Sequence, residues 1–171
     1  MAFLTEIDEE NLNFNLQDFT THYPLDNTNG KVRLIGLTST KSSLKFAIRP
    51  DLMSPDTPSI WIEARTSSNN TKYLICGFYR EWNHHVDVSI QGQVDRAEIL
   101  ANQFLEARND SERIIIVGDV NLCSESWDNE GYRYKRIADP IKRALDVNGL
   151  INLKLGKTYN SNHPDENGIF A

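Results

Sequence analysis

Apolar and polar positions change rhythm midway along the chain. The first half has short, strand-like patterns. Ala2 to Thr5 is a brief apolar run ending on an acid, Glu6, and Asp8-Glu9-Glu10-Asn11 then reads as a polar loop. Asp26-Asn27-Thr28-Asn29-Gly30 is rich in residues that tolerate positive φ, which predicts a turn leading into a strand over Val32 to Leu37. Leu44-Lys45-Phe46-Ala47-Ile48 alternates with period two, as a half-buried strand does, and Ser59 to Ala64 alternates again. Pro50 to Pro58, which lies between these two runs, is a loop, because the three prolines at 50, 55 and 58 forbid a ladder there. Ser67-Ser68-Asn69-Asn70 predicts a hairpin turn, and the almost continuously apolar stretch from Tyr73 to Tyr79 predicts a central strand.

In the second half the period lengthens. From Gln93 to Arg108 the apolar positions Val94, Ala97, Ala101, Phe104 and Leu105 recur at threes and fours, which is one face of a helix. Ile114-Ile115-Ile116-Val117 places four β-branched residues in a row before Gly118 and predicts a strand buried on both faces. Tyr134, Ile137, Ala138, Ile141, Ala144 and Leu145 mark a second helical face. Pro140 interrupts it, with Asp139 placed to cap a fresh start, so two short pieces are expected. Asn148-Gly149 is a helix stop, and Leu150 to Leu153 is a last strand candidate. Strands followed by a strand–helix–strand–helix order predict a mixed-sheet α/β domain.

At 171 residues, with no repeat or linker, the chain is expected to form one domain. A net charge of -6 argues against the electrostatic grip on nucleic acid that a basic surface provides. It leaves room for a metal-dependent nuclease, whose site needs clustered carboxylates. Cys76 and Cys123 form neither a disulfide framework nor a CxxC zinc motif, so a reducing, intracellular setting (cytoplasm or nucleus) is expected. No apolar run approaches the roughly 20 residues of a membrane helix, and the N-terminus shows no signal-peptide core.

The informative stretch is Gly118-Asp119-Val120-Asn121, delivered by the most hydrophobic strand. Residues two apart on an extended chain point the same way, so Asp119 and Asn121 can converge on one ligand. A carboxylate can orient or deprotonate an attacking water, and a carboxamide can donate to a phosphate oxygen as charge gathers there. The same residues also suit an Asx-type turn, in which the side chains cap backbone amides.

Taken in order along the chain, several segments resemble the endonuclease/exonuclease/phosphatase family, closest to the apurinic-endonuclease-like domains of non-LTR retrotransposons. Phe3-Leu4-Thr5-Glu6 looks like the strand whose terminal Glu binds the metal, and Ile75-Cys76-Gly77-Phe78-Tyr79-Arg80-Glu81-Trp82 looks like the strand carrying the active-site Tyr-Arg. Gly118-Asp119-Val120-Asn121 matches the GDxN signature, and Gly149-Leu150 with Gly156-Lys157-Thr158-Tyr159 resembles the region after the second helix. The resemblance implies a four-layer sandwich of two mixed sheets flanked by helices, truncated over residues 1–171. It implies Mg²⁺ (or Mn²⁺) on Glu6, catalytic roles for Asp119, Asn121 and Tyr79, and substrate contacts from Asn121 and Arg80. DNA, through its phosphate backbone, would be the substrate, and a reverse transcriptase region of the same polyprotein a partner.

The family pattern also has an earlier strand bearing an Asn, a later strand bearing an Asp, and an Asp-His pair. None of these has a counterpart here, so the domain is expected to be incomplete at both ends and impaired in activity. His22, His84, His85 and His163 read as ordinary loop or strand histidines, and Trp82 as a packing residue. A phosphatase or lipid phosphodiesterase of the same fold, and a non-catalytic relic or binding fragment, remain the alternatives.

Overall fold

The computed structural model of the chain describes residues 1–10, 15–25, 31–80, 89–122 and 126–151. The described strands form two sheets. The first is antiparallel, with β1 (Ala2–Glu10), β2 (Phe19–His22) and β3 (Lys31–Ser39) in the order β1-β3-β2. The second is mixed, with β4 (Leu44–Ile48), β5 (Ser59–Thr66), β6 (Lys72–Tyr79) and β7 (Ile114–Asp119) in chain order. Its β4–β5 and β5–β6 pairs are antiparallel, and β6–β7 is parallel. The expected hairpin turn joins β5 to β6: Asn70 takes the left-handed region at φ 55° and donates its N–H to the Thr66 carbonyl at 3.1 Å.

A parallel pair needs a crossover connection, and α1 (Ile90–Asp110) lies in it. Ser89 caps this helix, its hydroxyl accepting from the Gly92 N–H at 3.0 Å. The second helix, α2 (Lys135–Val147), ends as its sequence predicts. Gly149 sits at φ 62°, its N–H donating to the Asp146 carbonyl and the Leu150 N–H to that of Leu145, both at 3.0 Å. This double bond pattern satisfies the last carbonyls of the helix.

Period-two alternation sends opposite faces of the second sheet into two cores. Ile60 and Ile62 face the first sheet and pack with Leu34, Tyr79 and the half-buried Phe3. Trp61, Leu74, Cys76 and Phe78 face the helices, against Leu100 and Phe104 of α1 and Ile137 and Ile141 of α2. Each fully buried isoleucine or leucine here stabilises the fold by roughly 1.5–3 kcal/mol relative to exposure. The described layers are therefore sheet, sheet, helices: an α/β sandwich. Among the described residues no helix is long and apolar enough to cross a membrane.

Three local expectations are corrected. First, β1 does not stop at Glu6. It runs on to Glu10 through the segment read as a polar loop, because β3 continues to pair with it. Second, β7 is not buried on both faces. It is the last strand in the described sheet, and Ile115 and Val117 are 47% and 50% exposed on the side away from the helices. Third, Pro140 lies inside a single helix rather than starting a new one. The ring removes one backbone hydrogen bond and costs about 3 kcal/mol. Burial of Ile137, Ala138, Ile141 and Ala144, two on each side of it, offsets that cost. Residues Leu150 and Ile151 are not in a strand, and the rest of that candidate lies outside the described residues.

Candidate active site

The parallel register sets Tyr79 beside Asp119, at the same end of two neighbouring strands and on the face toward the first sheet. What seats the first sheet there is a notch. A Cβ on Gly77 would run into the ring of Phe3, so only glycine leaves room for that ring. Phe3 thereby anchors β1 three residues before Glu6.

Glu6 itself is re-aimed by a bulge. Thr5 pairs with Leu34 but Glu9 pairs with Val32, so β1 carries two extra residues, and Glu6 takes φ 59°. Bulges of this kind bend a strand and turn a side chain out of its ladder position. Left-handed backbone on a residue with a side chain costs on the order of 1–3 kcal/mol and recurs at functional sites. The result brings the Glu6 carboxylate to 3.4 Å from the Tyr79 hydroxyl, which donates to it.

The turn after β7 closes the cluster. Asp119 Oδ1 accepts the backbone N–H of Asn121 at 2.8 Å, and Asn121 stands at φ 49°. The Asx turn open to these residues is thus formed, and Asn121 does not continue the extended chain that was expected to point it the same way as Asp119. The Asn121 side chain is buried and donates through Nδ2 to the Arg80 carbonyl at 2.7 Å. Burial pushes the Asp119 carboxyl above the usual carboxylate range, the Asn121 N–H opposes this, and the charge of Glu6 adds to it. Burial likewise raises the Tyr79 phenol; a hydrogen bond with Asn121 opposes the rise, and the charge of Glu6 adds to it. Glu6, Tyr79, Asp119 and Asn121 therefore form one group, drawn from two sheets.

Arg80, expected to touch substrate, is turned inward. It is 6% exposed, and its guanidinium donates to the carbonyls of Val120 and Asn121. The reason is alternation: with Tyr79 facing the first sheet, the next side chain must point the other way. Sequence reading also missed the Gly77–Phe3 fit, for which an isolated glycine inside an apolar strand is the available signal. His22 has its Nε2 paired with the Thr38 hydroxyl at 2.8 Å. Glu81, Trp82, His84, His85, Cys123, Gly156 to Tyr159 and His163 lie outside the described residues.

A hard divalent cation such as Mg²⁺ uses oxygen ligands only, commonly one or two carboxylates completed by water and substrate phosphate. Glu6 and Asp119, two carboxylates close enough for the charge of Glu6 to raise the Asp119 carboxyl, fit that donor set. Among the described residues no group of three or more metal-ligating side chains gathers anywhere.

The layering is that of an α/β sandwich, with a phenol, a carboxylate and a carboxamide gathered at the strand ends. No family profile and no curated protein sequence matches the chain. A solved structure does. The chain is similar to the endonuclease domain of TRAS1, a telomere-specific non-LTR retrotransposon, with a TM-score of 0.53 and 18% sequence identity over 78% of this chain and 54% of that one. The shared feature at that identity is the fold, and this chain spans about half the length of that structure.

Proposed function

We propose that the chain is part of an endonuclease domain of retrotransposon type, which hydrolyses DNA phosphodiester bonds with the help of a divalent cation. The observation that carries this reading is the meeting of Glu6, from a bulge in one sheet, with Tyr79 and Asp119, from adjacent strands of the other. Folding alone does not require two acids and a buried phenol to share a site; their mutual repulsion opposes it.

In this reading Glu6 would hold Mg²⁺ or Mn²⁺, which would neutralise charge on the non-bridging oxygens of the phosphate as its phosphorus is attacked. Asp119, with one oxygen fixed by the Asn121 N–H, uses the other to orient water and take its proton. Its raised pKa makes it a better acceptor than an ordinary carboxylate. Tyr79 stays protonated and has one O–H to donate, which turns from Glu6 to the phosphate when substrate is bound. Asn121 gives one Nδ2 proton to the Arg80 carbonyl and has the second to donate to the same phosphate. The leaving oxygen also needs a proton, and His22, the described histidine, is bonded through Nε2 to the Thr38 hydroxyl. In this reading nicking by these 171 residues is weak. A 3′-hydroxyl product would suit transfer to a reverse transcriptase region of the same polyprotein, within the cell.

Two measurements test the reading. Calorimetric titration should show Mg²⁺ binding that Glu6→Gln abolishes. Supercoiled plasmid with Mg²⁺ should be nicked slowly by the native chain and not by Asp119→Ala. Equal Mg²⁺ binding by native protein and Glu6→Gln would overturn the metal assignment. Release of phosphate from monoesters or lipid headgroups, with intact plasmid, would replace DNA as the substrate.

A further inference from the structure

We infer that Arg80 is a positioning residue: its buried guanidinium holds the carbonyls that follow β7 and so sets the direction of Asp119 and Asn121. The inference rests on the proposed phosphodiesterase reading for what those two residues do, and on geometry for how they are held.

Four hydrogen bonds join Arg80 to residues 119–121. Its backbone N–H donates to the Asp119 carbonyl at 2.9 Å, continuing the ladder one step past the strands. Nε donates to the Val120 carbonyl at 2.5 Å and Nη2 to that of Asn121 at 2.8 Å. Asn121 returns a bond, Nδ2 donating to the Arg80 carbonyl at 2.7 Å. A further contact runs to α1, where Gln93 Oε1 lies 3.4 Å from Nη1. The guanidinium is thus wedged between the turn and the first helix.

This arrangement is costly if stability is its only purpose. Removing a cation from water carries a penalty of several kcal/mol, and apolar residues of similar volume commonly serve a core as well or better. What an apolar residue cannot do is donate to two successive carbonyls. Those carbonyls exist as a pair because Asn121 is left-handed, which turns the peptide out of any strand ladder. The planar fork of arginine reaches both at once; lysine offers a point charge on a flexible stem. The same pair of bonds fixes the peptide on each side of Asn121. It therefore sets both the N–H that anchors Asp119 Oδ1 and the carboxamide that bonds Tyr79.

The test compares native protein with Arg80→Lys and Arg80→Gly in plasmid nicking with Mg²⁺, alongside thermal unfolding. Arg80→Lys should fold, keep KM within about threefold and lose about 100-fold in kcat, the scale expected of a roughly 1 Å misplacement. Added guanidinium ion should restore nicking to Arg80→Gly at least several-fold, and ammonium should not. Native kcat in Arg80→Lys would overturn the inference. So would a raised KM with weakened salt dependence at unchanged kcat, which marks direct phosphate contact. Backbone amide NMR signals of residues 119–121 separate this inference from the functional one. They should move in Arg80→Lys while those of β4 and β5 stay, whether or not the native chain nicks DNA. Unmoved signals would sink the positioning role, whereas failure of the native chain to bind Mg²⁺ or nick would sink only the phosphodiesterase reading.

Discussion

Replacing Gly77 by alanine should destabilise the protein by about 1–3 kcal/mol, and Phe3 should be the reason. Gly77 lies in the middle of β6, in a conformation open to any residue, so a methyl there meets no backbone objection. The unfolded chain would lose entropy, which by itself favours the alanine variant by about 0.4–1 kcal/mol. Against this, the new Cβ would sit well inside 3.0 Å of three ring atoms of Phe3, a separation that real Cβ atoms essentially never show. The ring must leave. Overpacking of that kind costs about 1–3 kcal/mol, and losing part of the burial of a phenylalanine adds about 1 kcal/mol.

The diagnostic measurement is a double-mutant cycle by urea denaturation, using native protein, Gly77→Ala, Phe3→Ala and the pair. With Phe3 truncated the methyl has room, and Gly77→Ala should become neutral or slightly stabilising. The coupling between the sites should then be about 2 kcal/mol. Additivity within about 0.5 kcal/mol would refute the argument, since sites that do not touch behave that way. Because Phe3 seats β1, Gly77→Ala should also weaken any Mg²⁺ binding that depends on Glu6.

Two further outcomes follow from the same geometry. Asp119 has a folded pKa above its unfolded value of about 3.9. Its ionisation therefore opposes folding, and the stability it permits at low pH is lost as pH rises through the folded value. Asp119→Asn should match native stability below about pH 4 and exceed it at pH 7, as denaturation at both pH values would show; a variant less stable at pH 7 would contradict the assigned burial. Ile115→Thr and Val117→Thr, at half-exposed positions, should each change stability by no more than about 0.5 kcal/mol. Losses above about 1.5 kcal/mol in urea would show that this face is covered in solution.

Local chemistry was legible where it depends on neighbours in the chain. The hairpin turn at Asn69-Asn70, the stop at Asn148-Gly149 and the apolar stripe of α1 are all written in a few consecutive residues, because turn φ values and helical periodicity are local properties. Contacts across the fold were not legible in this way. Arg80 beside Tyr79 reads as an exposed cation in a reactive motif, yet the pleat turns it inward to the carbonyls of 120 and 121. Glu6 reads as the end of a strand, yet β3 extends the pairing past it and the excess length is absorbed as a bulge.

The isoleucine run of β7 draws the line most clearly. Four β-branched residues determine that the segment is a strand, since their crowded side chains favour extended backbone wherever they lie. How many sides of it are covered depends on which strands and layers come next to it, and no residue within the run carries that information. The sequence alone thus determined that an acid and an amide leave a hydrophobic strand through a tight turn. Only the tertiary structure decided that a glycine notch, a bulge and a buried arginine bring Glu6, Tyr79, Asp119 and Asn121 to one place. Such convergence is set by contacts between residues far apart in the chain.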